Sequence, residues 1–341
     1  MADSPFHAGE QAVQRHVGVR DKLESIGARN IRGFMPDQHR EFIEELPFVI
    51  LSAHDAALRP WASILVGQPG FAYSPDPQTL QIDALPGSPT RATLAPGAPV
   101  GLLGIQLDSR RRNRVNGRVR RVDDAGFAIH VDQSFGNCPQ YIQARTYAIV
   151  AEAARAPGLL VPEGPALSPA AVALVERADT FFIASAARPD AHGETPADGL
   201  DASHRGGKPG FVRAERVEAD GGATHTRLTW PEFRGNFYFN TLGNIAQNPR
   251  TGLLFVDFET GDCLSLTGES EIVWDAPELA HFARAERFVR FRVAEGTWQE
   301  RALPLRWSAP SQARELPPTG DWRAVDGARG AVTRPTPRPA R

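Results

Sequence analysis

The sequence of 341 residues has little of what marks several common classes of protein. Its two cysteines, Cys138 and Cys263, lie far apart, which argues against a disulfide framework and a cysteine-based metal or iron–sulfur site. The formal net charge of -2 gives no indication of a nucleic-acid or membrane partner. No apolar run approaches the roughly 18 residues of a membrane-spanning helix, and no basic segment followed by an apolar run opens the chain. We therefore expect a cytoplasmic protein.

What is present fits a globular protein of two domains. Hydrophobic residues make up 41% and charged residues 23% of the chain, which is enough apolar surface for packed cores. The length suits two domains of ordinary size. Many short apolar segments, separated by turns rich in glycine and proline, predict a barrel or sandwich.

An internal repeat is first visible as a helix that leads into a strand. Residues 36–46 predict a short amphipathic helix, with its proline at the first helical position, and residues 48–53 predict a buried strand. In the second half, Ser168 is a candidate cap for a helix over 169–178, and a strand follows at 181–186. The step from proline to the strand's phenylalanine is the same in both halves, and both strands end in Ser-Ala.

The repeat continues in a predicted hairpin. The strand 100–107 matches the strand 251–258, and at the same distance beyond them Gly117 and Gly268 each end a predicted short strand. The hairpin tips then fall at 108–112 and 259–262. Short strands at 70–73 and 80–83 have their predicted counterpart at 236–240. Outside the repeat we predict helices at 8–27 and 275–289 and a Pro/Arg-rich tail at 309–341.

Two polar segments of the second half are candidates for a binding site. Residues 201–210 contain hydroxyl, imidazole, guanidinium and ammonium groups beside two glycines, a set that suits a phosphate. A solvated turn with incidental charge is the alternative. In the second segment Asn240, Thr241 and Asn244 lie where a strand gives way to a helix start, at which backbone N–H groups receive anions. Ordinary capping and turn formation is the alternative there.

The first half contains a basic run, Arg110–Arg114, followed by further arginines. A solvated hairpin is one interpretation. A phosphate site and a docking site for an acidic electron donor are the others. Because aromatic residues are not interleaved with these arginines, we predict no nucleic-acid binding. The histidines show no spacing typical of metal ligands, so we predict no metal site.

The order of motifs in the second half resembles the pyridoxamine 5'-phosphate oxidase family. Phe-Asn-Thr-Leu-Gly-Asn at 239–244 is followed by Asn-Pro-Arg, Gly-Leu-Leu-Phe and Leu-Thr-Gly, and the match runs over about 181–273. Ser-His-Arg-Gly-Gly-Lys-Pro-Gly at 203–210 and Gly-Asn-Cys-Pro-Gln-Tyr-Ile at 136–142 look like a subgroup with two units in one chain. The resemblance then covers roughly 30–290.

This resemblance implies a mainly β fold with flanking helices (α+β) that consists of two tandem FMN-binding split β-barrels. The implied organisation is an N-terminal helical segment at 1–34, a first split-barrel unit at 35–160, a second unit with the FMN site at 161–308, and the tail at 309–341. In this family two barrels commonly pair around the flavin. We expect a homodimer as well, because free barrel edges and apolar faces favour association.

The resemblance also implies an FMN-binding flavoprotein, an oxidoreductase that takes electrons from a reductase or NAD(P)H and acts on a small-molecule substrate. A non-catalytic flavin or haem-binding protein is the alternative, with haem as the minor cofactor candidate. Arg205, Lys208, Thr241 and Asn244 would hold the phosphate, partly replacing an arginine–lysine pair that the family has near Asn244. The full set of implied cofactor-binding residues is Ser203, His204, Arg205, Gly206, Lys208, Asn236, Phe239, Asn240, Thr241 and Asn244.

Two first-half residues have open roles under the same resemblance. Trp61 either stacks on a flavin or fills the core. Cys138 either lies near the flavin or is a buried structural thiol. No residue stands out as an obligatory acid or base, because hydride transfer to a flavin needs none.

Overall fold

The computed structural model describes residues 4–150, 158–188, 195–218 and 221–326. The chain is mainly β. Its helices are α1 Ala8–His16, α2 Arg20–Asn30, α3 Asp37–Glu44, α4 Pro169–Arg177 and α5 Asn240–Gln247. The strands of the first half are β1 Phe48–His54, β2 Pro60–Val66, β3 Ala72–Asp76, β4 Thr79–Ile82, β5 Pro99–Gln106, β6 Arg111–Val122, β7 Phe127–Asn137 and β8 Tyr147–Ile149. Those of the second half are β9 Leu160–Glu163, β10 Thr180–Ala186, β11 Leu200–Gly206, β12 Arg213–Glu218, β13 Thr224–Phe233, β14 Arg250–Val256, β15 Cys263–Val273, β16 Ala285–Gln299 and β17 Leu305–Trp307.

The strands form two large antiparallel sheets with the same internal order. The first sheet runs β2-β1-β5-β6-β7-β4-β3, and the second runs β11-β10-β14-β15-β16-β13-β12. Each strand from β1 to β7 therefore has a counterpart from β10 to β16, in sequence order. β9 adds to the second sheet beside β16, and β17 pairs with β8 in a small sheet of its own.

Three large apolar clusters hold the two sheets. One lies in the first half and one in the second. The third joins them, because alternate residues of β1 and β10 point to opposite faces: Val49 belongs to the first-half cluster, whereas Ile50 packs in the shared cluster with Phe182. The halves are thus joined by a continuous apolar layer, which fixes the residues of one half against those of the other.

The register of the repeat differs by one residue from the sequence prediction. Leu51 pairs with Leu102, and Ile183 pairs with Leu253, the counterpart of Leu102. Leu51 and Ile183 are therefore equivalent, and the phenylalanines and Ser-Ala pairs that the sequence aligned are displaced by one position. The packing agrees with this register, because Leu51 joins the first-half cluster and Ile183 the second-half cluster. A one-residue slip would turn every side chain to the other face.

The helices before these strands show the same displacement. Pro36 is the N-cap of α3, not its first helical residue as predicted. In α4, Ser168 is the N-cap and accepts a hydrogen bond from the Ala171 N–H, so Pro169 occupies the first helical position. The caps Pro36 and Ser168 are equivalent, and the two prolines are not.

Two glycines that were predicted to end short strands lie inside long ones. Gly117 is within β6 and Gly268 within β15, and each adjoins a shift in strand pairing, a β-bulge. A side chain at Gly117 would collide with the carbonyl oxygen of His130, and one at Gly268 with that of Arg292. The glycines therefore mark bulges that bend the strands, and they do so at equivalent places in both halves.

A further repeat was missed in the sequence. Gly-Gln-Pro-Gly-Phe at 67–71 and Gly-Lys-Pro-Gly-Phe at 207–211 follow β2 and β11 and form the same turn. Gly70 and Gly210 have φ of 97° and 86°, a conformation that favours glycine. In both turns the phenylalanine is buried and its N–H bonds to the carbonyl three residues back.

Three other predictions were wrong. The counterpart of the β3–β4 hairpin is β12–β13, whereas residues 236–239 form a loop that leads into α5. The segment 8–27 contains two helices, separated near Gly18 at φ 72°. The segment 275–289 is a 3-10 turn followed by β16, in which Val289, Phe291 and Val293 are buried and the arginines between them are not, the period of a strand.

The predicted tail is ordered over residues 309–326. Leu316, Trp322 and Val325 are buried, and the Trp322 indole N–H donates to the Phe211 carbonyl at 2.9 Å. Residues 327–341 lie outside the described part of the chain. Within that part, no helix is both long and apolar enough to span a membrane.

Candidate functional site

A cavity of about 120 Å³ lies where the two halves meet. The first half supplies residues of β6 and of the segment after β7. The second half supplies β11, the end of β13, the loop 235–239 and the start of α5. β11 contains Ser203, His204 and Arg205, which were predicted to lie in a loop before a strand. Because β11 packs beside β5 and β6, these side chains face residues of the other half.

A buried ion pair joins the halves at this cavity. The Arg114 guanidinium donates to the Asp201 carboxylate at 2.6 Å, and it also bonds to the Ser203 hydroxyl. Asn116 and Asn244 donate their side-chain N–H groups to the same carboxylate at 2.7 and 2.6 Å. The carboxylate is thus saturated with donors, which is the condition under which a buried charge is tolerated. Asp201 therefore fixes the position of Arg114.

Arg112 contacts the His204 imidazole across the same seam. Its Nη1 lies 3.1 Å from His204 Nδ1, and its Nε donates to the Cys138 carbonyl at 2.9 Å. Because a guanidinium can only donate, Nδ1 must accept and Nε2 must carry the proton. Burial, with the charges of Arg112 and Arg205, holds the pKa of His204 well below its usual range. His204 is therefore neutral, and its buried Nε2 has no partner among the described residues.

Arg112 is the cavity cation without a carboxylate partner in the described part of the chain. Arg205 pairs with Glu232 at 2.6 Å, Arg287 with Glu286 at 2.5 Å, and Arg114 with Asp201. Burial lowers the pKa of the Arg112 guanidinium, but a guanidinium stays charged in proteins. An uncompensated cation that is partly buried is costly, so this position favours an anionic ligand.

Aromatic side chains form another wall of the cavity. Phe237 and Phe239 line it from the loop before α5, and both have left-handed backbone, at φ 62° and 63°. Such conformations cost on the order of 1–3 kcal/mol and persist at sites that use them. The Arg287 guanidinium lies 5.1 Å from the Phe239 ring centre. A cationic edge beside aromatic faces suits a planar ligand that carries an anionic group.

The N-terminal helix α1 supports the site from behind. Glu10 accepts the His7 N–H at 2.9 Å and the side-chain amide of Asn240, the first residue of α5. Burial raises the pKa of Glu10 well above its usual range. Next to Asn240, the Thr241 hydroxyl donates to Ser203 at 3.0 Å. The start of α5 is thus held by both the N-terminal segment and β11.

Most of the predicted cofactor residues come together at the cavity. Those that line it are Ser203, His204, Arg205, Gly206, Asn236, Phe239, Asn240 and Thr241. Lys208 does not, because its exposed ammonium donates to the Pro317 carbonyl at 2.8 Å. Asn244 lies behind the cavity, against Asp201.

The sequence left the roles of the first-half residues open: a phosphate site was one alternative for the basic run Arg110–Arg114, and a place near the flavin was one for Cys138. Arg112 and Arg114 lie on β6 with side chains turned toward the second half, so a solvated hairpin is wrong for these two. In the sequence, only their two-residue spacing indicates that both side chains lie on the same face of a strand. Cys138 is half-buried and lines the cavity. Trp61 is buried and donates to Asp55 at 3.0 Å, so it belongs to the core.

The repeat places an equivalent position on the other side of the molecule. β6 pairs with β5 as β15 pairs with β14, which makes Cys263 the counterpart of Arg112 and Ser265 that of Arg114. By the register of β2 and β11, Ile64 is the counterpart of His204. Ile64 and Cys263 pack in the shared apolar cluster with Trp307 of β17. The second position therefore carries none of the charges of the first.

The residues at the cavity fit a flavin in chemistry and only in part in size. Arg112 supplies an uncompensated cation, and His204 Nε2 and Asn137 Nδ2 are buried donors without partners in the described chain. The volume of about 120 Å³ is below the roughly 300–1,000 Å³ of typical ligand sites. The cavity would thus enclose one part of such a ligand. The described residues contain no cluster suited to a metal ion.

Comparison with known proteins gives one family. Residues 35–155 match the family model for pyridoxamine 5'-phosphate oxidase. The sequence matches no curated protein. The match covers the first half, whereas the sequence motifs that suggested the same family lie mainly in the second.

Three solved structures with similarity to the chain each cover less than half of it. A putative pyridoxamine 5'-phosphate oxidase from Lactobacillus delbrueckii is 17% identical, with 39% of this chain and 93% of that chain covered and a TM-score of 0.25. A FAD-binding protein from Mesorhizobium loti is 13% identical, with 42% and 98% covered and a TM-score of 0.25. HutZ, a heme storage protein from Vibrio cholerae, is 15% identical, with 38% and 89% covered and a TM-score of 0.21. At these TM-scores the similarities support no inference about a ligand.

Proposed function

Because the chain belongs, through its residues 35–155, to the pyridoxamine 5'-phosphate oxidase-like split-barrel family, we propose that it binds FMN in the cavity between its two halves. The two halves would act as tandem split barrels that share this site. The observation that carries the proposal is the Arg112 guanidinium, which lies without a carboxylate partner among the described residues, beside aromatic walls. A flavin combines the two groups that such a site selects, a planar ring and a phosphate.

The structure favours a different set of phosphate ligands from the one that the sequence suggested. Arg205 is paired with Glu232, Lys208 lies elsewhere, and Asn244 is committed to Asp201. Arg112 would attract the anionic group of the ligand, and His204 Nε2 would donate a hydrogen bond to it. Arg114 would add positive potential from a position that Asp201 fixes.

When bound, the flavin would supply the redox chemistry, and the protein would supply binding and exclusion of water. We propose an oxidoreductase that draws electrons from an external donor, a reductase or NAD(P)H, for a small-molecule substrate. His204 is neutral, and the carboxylates of Glu232 and Glu286 are paired with arginines, so none of these three groups is poised to exchange protons. This arrangement suits hydride transfer better than acid–base catalysis. We also propose that two copies of the tandem chain form a homodimer.

The second candidate is a non-catalytic protein that binds flavin or haem. A haem also carries anionic carboxylates that Arg112 could bind. However, a histidine must offer an unprotonated nitrogen to iron. In His204, Nδ1 accepts from Arg112 and Nε2 therefore carries the proton. This tautomer disfavours iron ligation by His204, so flavin is the better candidate.

The test is the absorbance spectrum of the purified protein, with mass identification of what it releases on denaturation and titration of the emptied protein with FMN. We expect a flavin spectrum and uptake of FMN. Arg112→Gln should weaken FMN binding by about 10- to 100-fold, the loss of a charged hydrogen bond of about 1.5–3 kcal/mol. Lys208→Gln, the matched control, should leave the affinity for FMN unchanged.

The outcomes separate the candidates. A colourless protein that takes up no added FMN would rule out the flavin site, and a Soret band would favour the haem candidate. Equal weakening by the Arg112 and Lys208 variants would retain the flavin but reject Arg112 as its anchor.

A further inference from the structure

A second cleft adjoins the cavity on the outer side of the β5–β6 hairpin. It has a volume of about 350 Å³, within the range of roughly 300–1,000 Å³ for ligand sites. Three consecutive arginines, Arg110–Arg112, form one side, and residues at the end of β7 and on α3 form the others. None of the residues that line it is acidic. The cleft is therefore a concentrated region of positive charge.

The arginines of the cleft have no carboxylate partners in the described part of the chain. Arg110 donates to the carbonyl oxygens of Ile142 and Ser311, both at 3.0 Å, which fixes the side chain and leaves its charge uncompensated. Arg111 is exposed, and its guanidinium lies 4.7 Å from the Phe42 ring centre. Two guanidinium groups are thus held in place by neutral partners. Such fixed, unpaired cations form a better anion site than mobile surface charges.

The cleft and the cavity share two lining residues. Arg112 and Asn137 line both spaces. The side-chain Nδ2 of Asn137 is buried and has no partner among the described residues, while its Oδ1 accepts from Asn236 at 3.4 Å. A ligand that extends from one space to the other would meet this unused donor midway. The arrangement suits a long ligand with an anionic centre.

We infer that the cleft binds the pyrophosphate group of a dinucleotide, with Arg110 and Arg111 as the principal cations. Two sources supply that chemistry: the pyrophosphate of a nicotinamide dinucleotide that donates electrons, and that of FAD in place of FMN. The inference that pyrophosphate binds rests on the charges of the cleft alone. Only the role of the dinucleotide, as electron donor or as bound flavin, rests on the proposed function. The volume of the cleft and its position beside the cavity fit a ligand that is longer than FMN.

The experiment measures the binding of inorganic pyrophosphate, NADPH and FAD to the full chain by calorimetry at low salt, before and after loading with FMN. Arg111→Gln should weaken pyrophosphate binding about tenfold, and Arg111→Lys should restore most of the affinity. Arg120→Gln is the matched control, because Arg120 is exposed on the same strand and bonds to Thr79, away from the cleft. The flavin absorbance of FMN-loaded Arg111→Gln should equal that of the wild type.

The outcomes distinguish this inference from the proposed function. Pyrophosphate binding that depends on Arg111 supports the inference, whether or not FMN binds. NADPH binding to the FMN-loaded protein then identifies an electron donor, and FAD uptake that Arg111→Gln weakens identifies a flavin dinucleotide. If FMN binds but pyrophosphate affinity is absent, or is the same in Arg111→Gln and Arg120→Gln, the inference is overturned and the flavin proposal stands.

Discussion

The two equivalent positions at the seam between the halves share a backbone and differ in almost every functional side chain. One has Arg112, Arg114 and His204, where the other has Cys263, Ser265 and Ile64. The strand order, the bulge glycines and the Gly-x-Pro-Gly-Phe turns are common to both halves. The fold therefore provides two possible sites, and the charges are concentrated at one of them.

The elements that close the two positions differ as well. Between β13 and β14 the second half has α5, whose first turn lines the cavity and packs on α1. Between β4 and β5 the first half has only the 3-10 turn Thr90–Ala92. At the neutral position, Leu305 and Trp307 of β17 fill the space beside Cys263. One position is open and charged, and the other is packed like a core, so we expect a single ligand for each chain.

The largest effect should come from breaking the ion pair at the charged position. Arg114→Met leaves the Asp201 carboxylate buried without its cation, which typically costs about 3–5 kcal/mol. We expect this loss in the free energy of unfolding, measured with urea. Ser265→Ala at the equivalent position should cost less than about 1 kcal/mol. Similar losses in the two variants would show that the charge at the first position has no special structural role.

A smaller effect should appear in the pH dependence of stability. His204 is neutral when folded because its pKa is depressed, whereas an unfolded histidine has a pKa of about 6.5. Below about pH 6.5 the unfolded chain gains a proton that folded His204 does not, so its contribution to stability is present above that pH and is lost as pH falls. The limit for one proton is about 1.4 kcal/mol per pH unit.

Urea unfolding between pH 7.5 and 5 tests this prediction. His204→Gln keeps an acceptor for Arg112 and removes the titration, so its stability should fall less steeply with acid than that of the wild type. His39→Gln is a useful comparison, since burial also lowers the pKa of His39, away from the cavity. The same slope in His204→Gln and the wild type would contradict a neutral, buried His204.

The smallest expected effect is a difference in reactivity between the two thiols. Cys138 is half-buried at the cavity, while Cys263 is buried and burial raises the pKa of its thiol strongly. Because the thiolate is the reactive form, we expect one thiol for each folded chain to react with a disulfide reagent. Cys138→Ser should abolish the reaction and Cys263→Ser should not. Bound FMN should slow it, and rapid reaction of Cys263 would show that the second position is open.

The sequence predicted the parts of the fold that depend on local pattern. Periodicity predicts the helices that precede β1 and β10. Capping and turn chemistry predict the Ser168 cap and the hairpin of β14 and β15. The exact register did not, because alignment of like residues favoured the phenylalanines, whereas the sheets are aligned by which apolar cluster each side chain joins. The ordered segment up to Val325 was also missed, since a few large apolar residues suffice to dock a polar chain.

The sequence assigned site residues only in the second half and left the roles of Cys138 and the Arg110–Arg114 run open. Ser203, His204 and Thr241 lie at the cavity as the motifs indicated. Arg112 and Arg114 could not be assigned to it, because the contact between the halves depends on long-range packing that no local pattern contains. Lys208 was misassigned for the related reason that a charged side chain in a motif can turn to another partner, in this case Pro317.

The most direct test of this account is the number of FMN molecules that each chain binds. The emptied protein would be titrated with FMN, and the bound flavin compared with the protein concentration from amino-acid analysis. One FMN for each chain, lost in Arg112→Gln and retained in Cys263→Ser, is the predicted result. Two for each chain would contradict the account, because the neutral position would then bind as well as the charged one.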